Sequence, residues 1–211
     1  KGLPLPSGVT PQTRFLATTR RGEIGMNRPS DFWDARYATD DYIFGTAPNL
    51  FLASQAALIQ PGMRALAIAD GEGRNGVWLA EHGAKVHAID FSAAALEKAR
   101  RLASERGVML EIEQADVLDW TWPEAVYDLV AAIFIQFAPP PGRDRIIAGI
   151  RRTLKPGGLL ILQGYTPKQI EFATGGPPHA ANMYTAGLLR EWFGDWEVLH
   201  LAENESFIRE G

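Results

Sequence analysis

Downstream of Pro61-Gly62 the chain alternates short apolar runs with longer amphipathic stretches. Residues 64–69 (Arg-Ala-Leu-Ala-Ile-Ala) and 85–89 (Lys-Val-His-Ala-Ile) predict strands, with a helix over 74–82 between them that ends at Gly83. Ser92 is placed to cap a helix rich in Ala, Leu, Glu, Lys and Arg that runs to Gly107. A third strand over 109–114 follows, and 126–135 is the longest candidate for a buried strand. Residues 143–154 predict a helix stopped by Lys155-Pro156-Gly157-Gly158, and 159–164 a further strand. A helix over 185–193 and a last strand over 195–202 complete the pattern. Strands alternating with helices imply parallel pairing, hence an α/β fold with a doubly wound, mostly parallel sheet. The last strand is the weak point: it is incomplete, continued in Glu203–Arg209, or replaced by residues 13–19.

The first 29 residues are punctuated by Pro4, Pro6, Pro11, Gly2, Gly8, Gly22 and Gly25, and read as a weakly structured leader. Thr13–Thr19 is a candidate short strand within it. Ser30 is a plausible N-cap for a helix through Tyr37, and Pro48 opens a second helix from Asn49 to Gln60. Residues 30–60 are thus expected to form a helical lid on a single domain spanning 30–211. A chain of 211 residues, 46% hydrophobic and 22% charged, suits one soluble domain. The net charge of −4 gives no general pull toward nucleic acid or an anionic membrane. No apolar stretch approaches membrane-spanning length, and Lys1–Arg21 lacks the apolar core of a secretory signal. With no cysteine, disulfides, thiolate zinc sites and cysteine nucleophiles are excluded, and a reducing cytoplasm is the expected location. The four histidines are scattered and make no metal constellation.

The candidate chemistry begins at Gly71-x-Gly73-x-x-Gly76, a glycine turn between a strand and a helix, with Asp90 ending the next strand. That arrangement binds adenosine-containing cofactors, either a nicotinamide dinucleotide or S-adenosylmethionine. The literal glycine spacing, the distance to Asp90 and the phosphate-suited Arg74 favour the dinucleotide. Three features favour S-adenosylmethionine: a third strand ending in Ala115-Asp116-Val117, where a carboxylate can accept from an adenine amino group; the helix, Lys155–Gly158 turn and strand; and the aromatic segment 32–51, suited to a sulfonium.

On Trp33-Asp34-x-Arg36-Tyr37, Phe44-Gly45-x-x-Pro48-Asn49-x-Phe51-Leu52, Gly71-Glu72-Gly73-Arg74-Asn75, Ile89-Asp90-Phe91-Ser92 and Leu154-Lys155-Pro156-Gly157-Gly158, residues 33–211 resemble class I S-adenosylmethionine-dependent methyltransferases. Gly164-Tyr165-Thr166-Pro167 and Met183-Tyr184-Thr185 narrow the resemblance to the tellurite-resistance/thiopurine-methyltransferase-like branch. It implies a Rossmann-like domain, S-adenosylmethionine as cofactor, and a small soft acceptor such as a thiol or a tellurium or selenium oxyanion derivative. The usual acid two residues before the first glycine is absent: Ala67 and Ala69 stand there, with Asp70 directly before Gly71. A nicotinamide-dependent oxidoreductase and a non-catalytic adenosyl-binding protein are the competing readings.

The expected roles follow. Ala69, Asp70, Gly71, Gly73, Arg74 and Asn75 approach the cofactor, and Asp90 accepts from both ribose hydroxyls. Asp116 with the Ala115 and Val117 backbone holds the adenine edge, Phe91 packs on its face or in the core, and Ile133 flanks the methionine portion. Trp33, Arg36 and Tyr37 close the site. On the acceptor side the candidates are Gln136, Tyr165, His179 and Tyr184, with His179 able to serve as a base.

Overall fold

The computed structural model describes residues 29–172 and 176–205. Helix α1 (Pro29–Tyr37) and the short α2 (Leu50–Ser54) precede an alternating series: β1 (Arg64–Ile68), α3 (Arg74–Glu81), β2 (Lys85–Asp90), α4 (Ala93–Glu105), β3 (Leu110–Gln114), β4 (Tyr127–Ile133), α5 (Pro140–Thr153) and β5 (Leu154–Gln163). Two further helices, α6 (Gln169–Phe172) and α7 (Ala186–Phe193), follow. The five strands lie in the order β3-β2-β1-β4-β5, all parallel. This is the expected doubly wound, Rossmann-like sheet.

Burial on both faces explains the near-continuous apolar strands. One face packs Leu66, Ile68, Ile89 and Val130 against α5 residues Ile146 and Ile150. The other packs Ala65, Ala67, Val86 and Ala88 against Trp78 and Leu79 of α3. Ser92 caps α4 as expected, its hydroxyl accepting from the Ala95 N–H at 3.2 Å.

Three expectations need correction. The helix over Asn49–Gln60 stops at Ser54 and resumes only as a 3-10 turn over Ala56–Leu58. Ser54 donates its hydroxyl to the Phe51 carbonyl at 2.7 Å, competing with the helical ladder, and Pro61 disfavours helical backbone at the residue before it. The Lys155–Gly158 turn is a bulge inside β5 rather than its prelude: Leu154 pairs with Tyr127 and Leu159 with Leu129, and the chain between them loops out. Finally, residues 195–202 form no strand. Among the described residues β5 pairs only with β4, and without a partner strand Val198 and Leu199 stand 52% and 64% exposed. Thr13–Thr19 and Ser206–Arg209 lie outside the described residues.

Candidate functional site

The strand order turns around between β1 and β4, whose carboxyl ends lie side by side while their chains leave in opposite directions. A crevice opens at such a point, where open α/β sheets take their ligands. The turn leaving β1 runs through left-handed backbone at Ala69 (φ 47°), Gly71 (57°) and Gly73 (87°). Gly73 has no room for a side chain, since a β-carbon there would stand 2.7 Å from that of Ala99 on α4. Gly76 has a different task. It lies inside α3, donates its N–H to Asp70 Oδ2 at 3.0 Å, and a β-carbon on it would sit 2.5 Å from that oxygen. Asp70 thus turns its carboxylate onto the N-terminus of α3. Burial pushes its carboxyl up to about 7, with the Asp90 charge adding to the rise and the Gly76 N–H opposing it.

Asp90, buried at the end of β2, accepts from the Gly71 N–H through Oδ2 and from the Ser92 N–H through Oδ1, both at 2.9 Å. Burial raises its pKa as well. The Ser92 hydroxyl donates to Asp34 of α1 at 2.5 Å, fastening the N-terminal segment beside the turn. Tyr37 is buried there, stacked on Trp33 at 5.5 Å and edge-on to Phe44 at 6.5 Å. Its hydroxyl faces Gly71, at 3.1 Å from where a β-carbon would stand, and burial drives its pKa well above the ordinary tyrosine range. The Arg36 guanidinium lies 5.3 Å from the Trp33 ring and 5.6 Å from that of Phe44. Arg74 donates to the Phe44 carbonyl at 3.3 Å. Asn75 faces α2 instead, accepting from the Asn49 N–H at 3.0 Å.

Sequence reasoning missed the pair that binds these parts together. Glu72 and Lys98 are 3% and 6% exposed, with Nζ 2.8 Å from Glu72 Oε1. Glu72 also accepts from the Ile43 and Phe44 N–H groups, each at 3.2 Å, while Lys98 donates to the Asp41 carbonyl at 2.6 Å. The signal was present: Lys98 stands three residues after Ala95 and four before Leu102, on the buried stripe of α4.

Beyond β3, the Ala115 N–H donates to the Asp90 carbonyl at 2.9 Å, which brings this strand end beside that of β2. Asp116 is exposed, one oxygen accepting from the Leu118 N–H at 2.9 Å; Val117 is core, and Phe91 is half-buried. At the end of β4, Ile133 is buried and Phe134 adopts φ 55°, its ring 4.6 Å from that of Tyr165. The acceptor-side candidates separate. Gln136 is buried and bonded twice to the backbone of Tyr165, accepting from its N–H at 2.5 Å and donating to its carbonyl at 2.8 Å. Tyr184 is buried against Trp192, with its pKa raised by that burial. Gln136 thus has its amide engaged within the protein rather than presented to a substrate, which corrects the expectation for that residue. Tyr165 borders the crevice beside Phe134, whereas His179 is exposed at the start of a 3-10 turn.

The start of α3 bears on the choice between the two cofactors. The Gly76 N–H there is taken by the Asp70 carboxylate rather than left for a phosphate. A carboxylate at that place opposes a pyrophosphate and suits a sulfonium or an ammonium. Among the described residues no group of three or more His, Asp or Glu is disposed to hold a metal, and no helix is long and apolar enough to cross a membrane.

Residues 65–158, which hold the glycine turn and Asp90, match the family model described as a methyltransferase domain. The chain is 32% identical over 117 residues to a demethylmenaquinone methyltransferase of Thermus thermophilus, covering 54% of this chain and 53% of that protein. It is 29% identical over 152 residues to a tRNA N(3)-methylcytidine methyltransferase of Drosophila melanogaster, covering 64% and 46% respectively. A solved S-adenosylmethionine-dependent methyltransferase from Thiobacillus denitrificans, in complex with S-adenosyl-L-homocysteine, superposes with a TM-score of 0.50 at 25% identity, covering 64% of this chain and 55% of that one. The chain thus spans about half the length of these curated relatives.

Proposed function

We propose that the protein transfers the methyl group of S-adenosylmethionine to a small soft nucleophile, a thiol or a reduced tellurium or selenium species, as the tellurite-resistance/thiopurine-like motifs imply. The cofactor supplies a methyl group already activated on a sulfonium, so displacement needs alignment more than acid–base help. Asp90 accepts from the ribose hydroxyls, the 115–117 segment meets the adenine edge, and the Gly71–Gly73 backbone lies against the methionine portion. Asp70, Arg36 and Tyr37 border that portion, with Trp33 outside them.

One observation supports the choice of acceptor: Gln136, the buried polar side chain beyond the carboxyl end of β4, is already engaged. Gln136 is spent on the Tyr165 backbone, and Tyr184 is buried with its proton held firmly. The Gln136 amide is no base, whereas a thiol or selenol ionises in solution and needs none. The net charge of −4 does not favour an RNA acceptor. The test is S-adenosylhomocysteine release with a panel of benzenethiol, a selenol, tellurite, phenol and aniline. Turnover is expected with the first three; turnover confined to phenol or aniline, with cofactor binding intact, would refute this acceptor class.

Asp70 gives the site a pH dependence. With a carboxyl near 7, it passes from about a tenth to about nine-tenths ionised between pH 6 and 8. The ionised form favours the sulfonium, so affinity for S-adenosylmethionine relative to neutral-sulfur S-adenosylhomocysteine is expected to rise across that range. Calorimetry should show the rise in the native protein and its loss in Asp70→Asn. An equal slope in both proteins would remove Asp70 from this role.

A further inference from the structure

Two glutamines stand at the carboxyl ends of β4 and β5, and only Gln136 has its amide satisfied. Gln163 is the last residue of β5, in register with Ile133, the last of β4. Its backbone is fixed at the rim of the crevice, where its carbonyl accepts from the Phe134 N–H at 2.8 Å. Its side chain is not. Oε1 is buried and accepts from no group. Nε2 donates to none of the described groups, yet it is not sealed off as the oxygen is, so the nitrogen end of this half-buried side chain reaches the surface.

Strand alternation fixes the face on which this amide lies. Leu159 and Ile161 of β5 pack with Leu129, Ala131 and Ile133 of β4, on the α3 side of the sheet, and Gln163 follows them at the same period of two. The amide therefore stands beside the Ile133 side chain, the one expected to flank the methionine portion of the cofactor. Two residues further on, Tyr165 lays its ring 4.6 Å from that of Phe134 and walls the same corner. A leucine at 163 would continue the apolar series. A carbonyl oxygen buried there without a donor gives up its bonds to water for nothing in the protein. Such departures from a local pattern belong to places that handle a ligand. The end that reaches the surface is a donor, so what meets it must accept.

We propose that Gln163 selects the methyl acceptor, its Nε2–H donating to an oxygen carried next to the nucleophilic atom. The acceptor class is then a soft nucleophile that bears a carbonyl or oxyanion oxygen. This rests on the methyl-transfer reading above and adds the group that recognises the acceptor. The transfer itself is unaltered: a thiolate lone pair forms the bond to the methyl carbon as the bond from that carbon to the sulfonium breaks, and S-adenosylhomocysteine leaves. The test compares native protein and Gln163→Leu on 2-mercaptoacetamide and on 2-methylpropanethiol, a thiol of the same shape without the oxygen. Gln163→Leu should lower kcat/KM for 2-mercaptoacetamide by about tenfold or more, chiefly through KM, and change 2-methylpropanethiol by less than about threefold. Its affinity for S-adenosylhomocysteine should stay within about threefold, and its melting temperature should rise by about 2 °C or more, since the stranded oxygen is gone. Equal losses with both thiols, no loss with either, a matching loss of S-adenosylhomocysteine affinity, or a melting temperature that does not rise would each overturn the assignment. Calorimetry of 2-mercaptoacetamide on the S-adenosylhomocysteine complex reads the same discrimination without turnover. Binding that depends on Gln163 but gives no methylation would sink the thiol reading and leave Gln163 standing, whereas neither binding nor methylation would sink both.

Discussion

Replacing Lys98 by methionine should cost the protein about 3–5 kcal/mol of folding stability, the range for removing one partner of a buried ion pair. For a domain of this size that is a fall of about 6–20 °C in melting temperature. The cause is Glu72. Its carboxylate would stay buried with only the Ile43 and Phe44 N–H groups to hold it, having lost the ammonium at 2.8 Å. The Glu72→Gln/Lys98→Met double variant removes the stranded charge and should recover much of the loss, so a double-mutant cycle by urea denaturation isolates the coupling. A Lys98→Met protein within about 1 kcal/mol of the native one would mean that solvent reaches the pair.

Asp90→Ala is expected to weaken S-adenosylhomocysteine binding by about 100-fold or more. Two hydrogen bonds from ribose to a charged acceptor are worth roughly 1.5–3 kcal/mol each, and about 1.4 kcal/mol is a factor of ten. The alanine also strands the Gly71 and Ser92 N–H groups, loosening the turn itself. Asp90→Asn keeps one carbonyl acceptor and should fall between the two. Calorimetry on proteins with native-like circular dichroism separates these cases, and an affinity change below about threefold in Asp90→Ala would dissociate this residue from the ribose.

Local pattern carried the order of strands and helices from 64 to 163 well, because apolar spacing marks each of them and Ser92 caps α4. What failed depended on partners rather than on local preference. The run 195–202 has the composition of a strand but no neighbour to pair with among the described residues, and the helix begun at Leu50 yields to Ser54 and Pro61 within two turns. The site divides in the same way. Gly71, Gly73, Asp70 and Asp90 were legible because a turn and a strand end are local events. That Gln136 would spend its amide on Tyr165, 29 residues away, could not be read from spacing. The role of Glu72 needed the buried face of α4 and the 41–44 segment to be brought together.

The Gln136 amide has a mechanical consequence for the sheet. Beyond Ile133 the chain bends out of line through the left-handed conformation of Phe134, and there the ladder between β4 and β5 would begin to fray. The amide offers one acceptor and one donor to the same residue, as the next backbone unit of a straight strand would, and so adds a rung made from a side chain. An amide matches the peptide group in this; a carboxylate offers no donor and a leucine offers neither group. The two strands therefore stay zipped to their tips while the chain between β1 and β4 parts, and the crevice gains its width without loosening the framework around it.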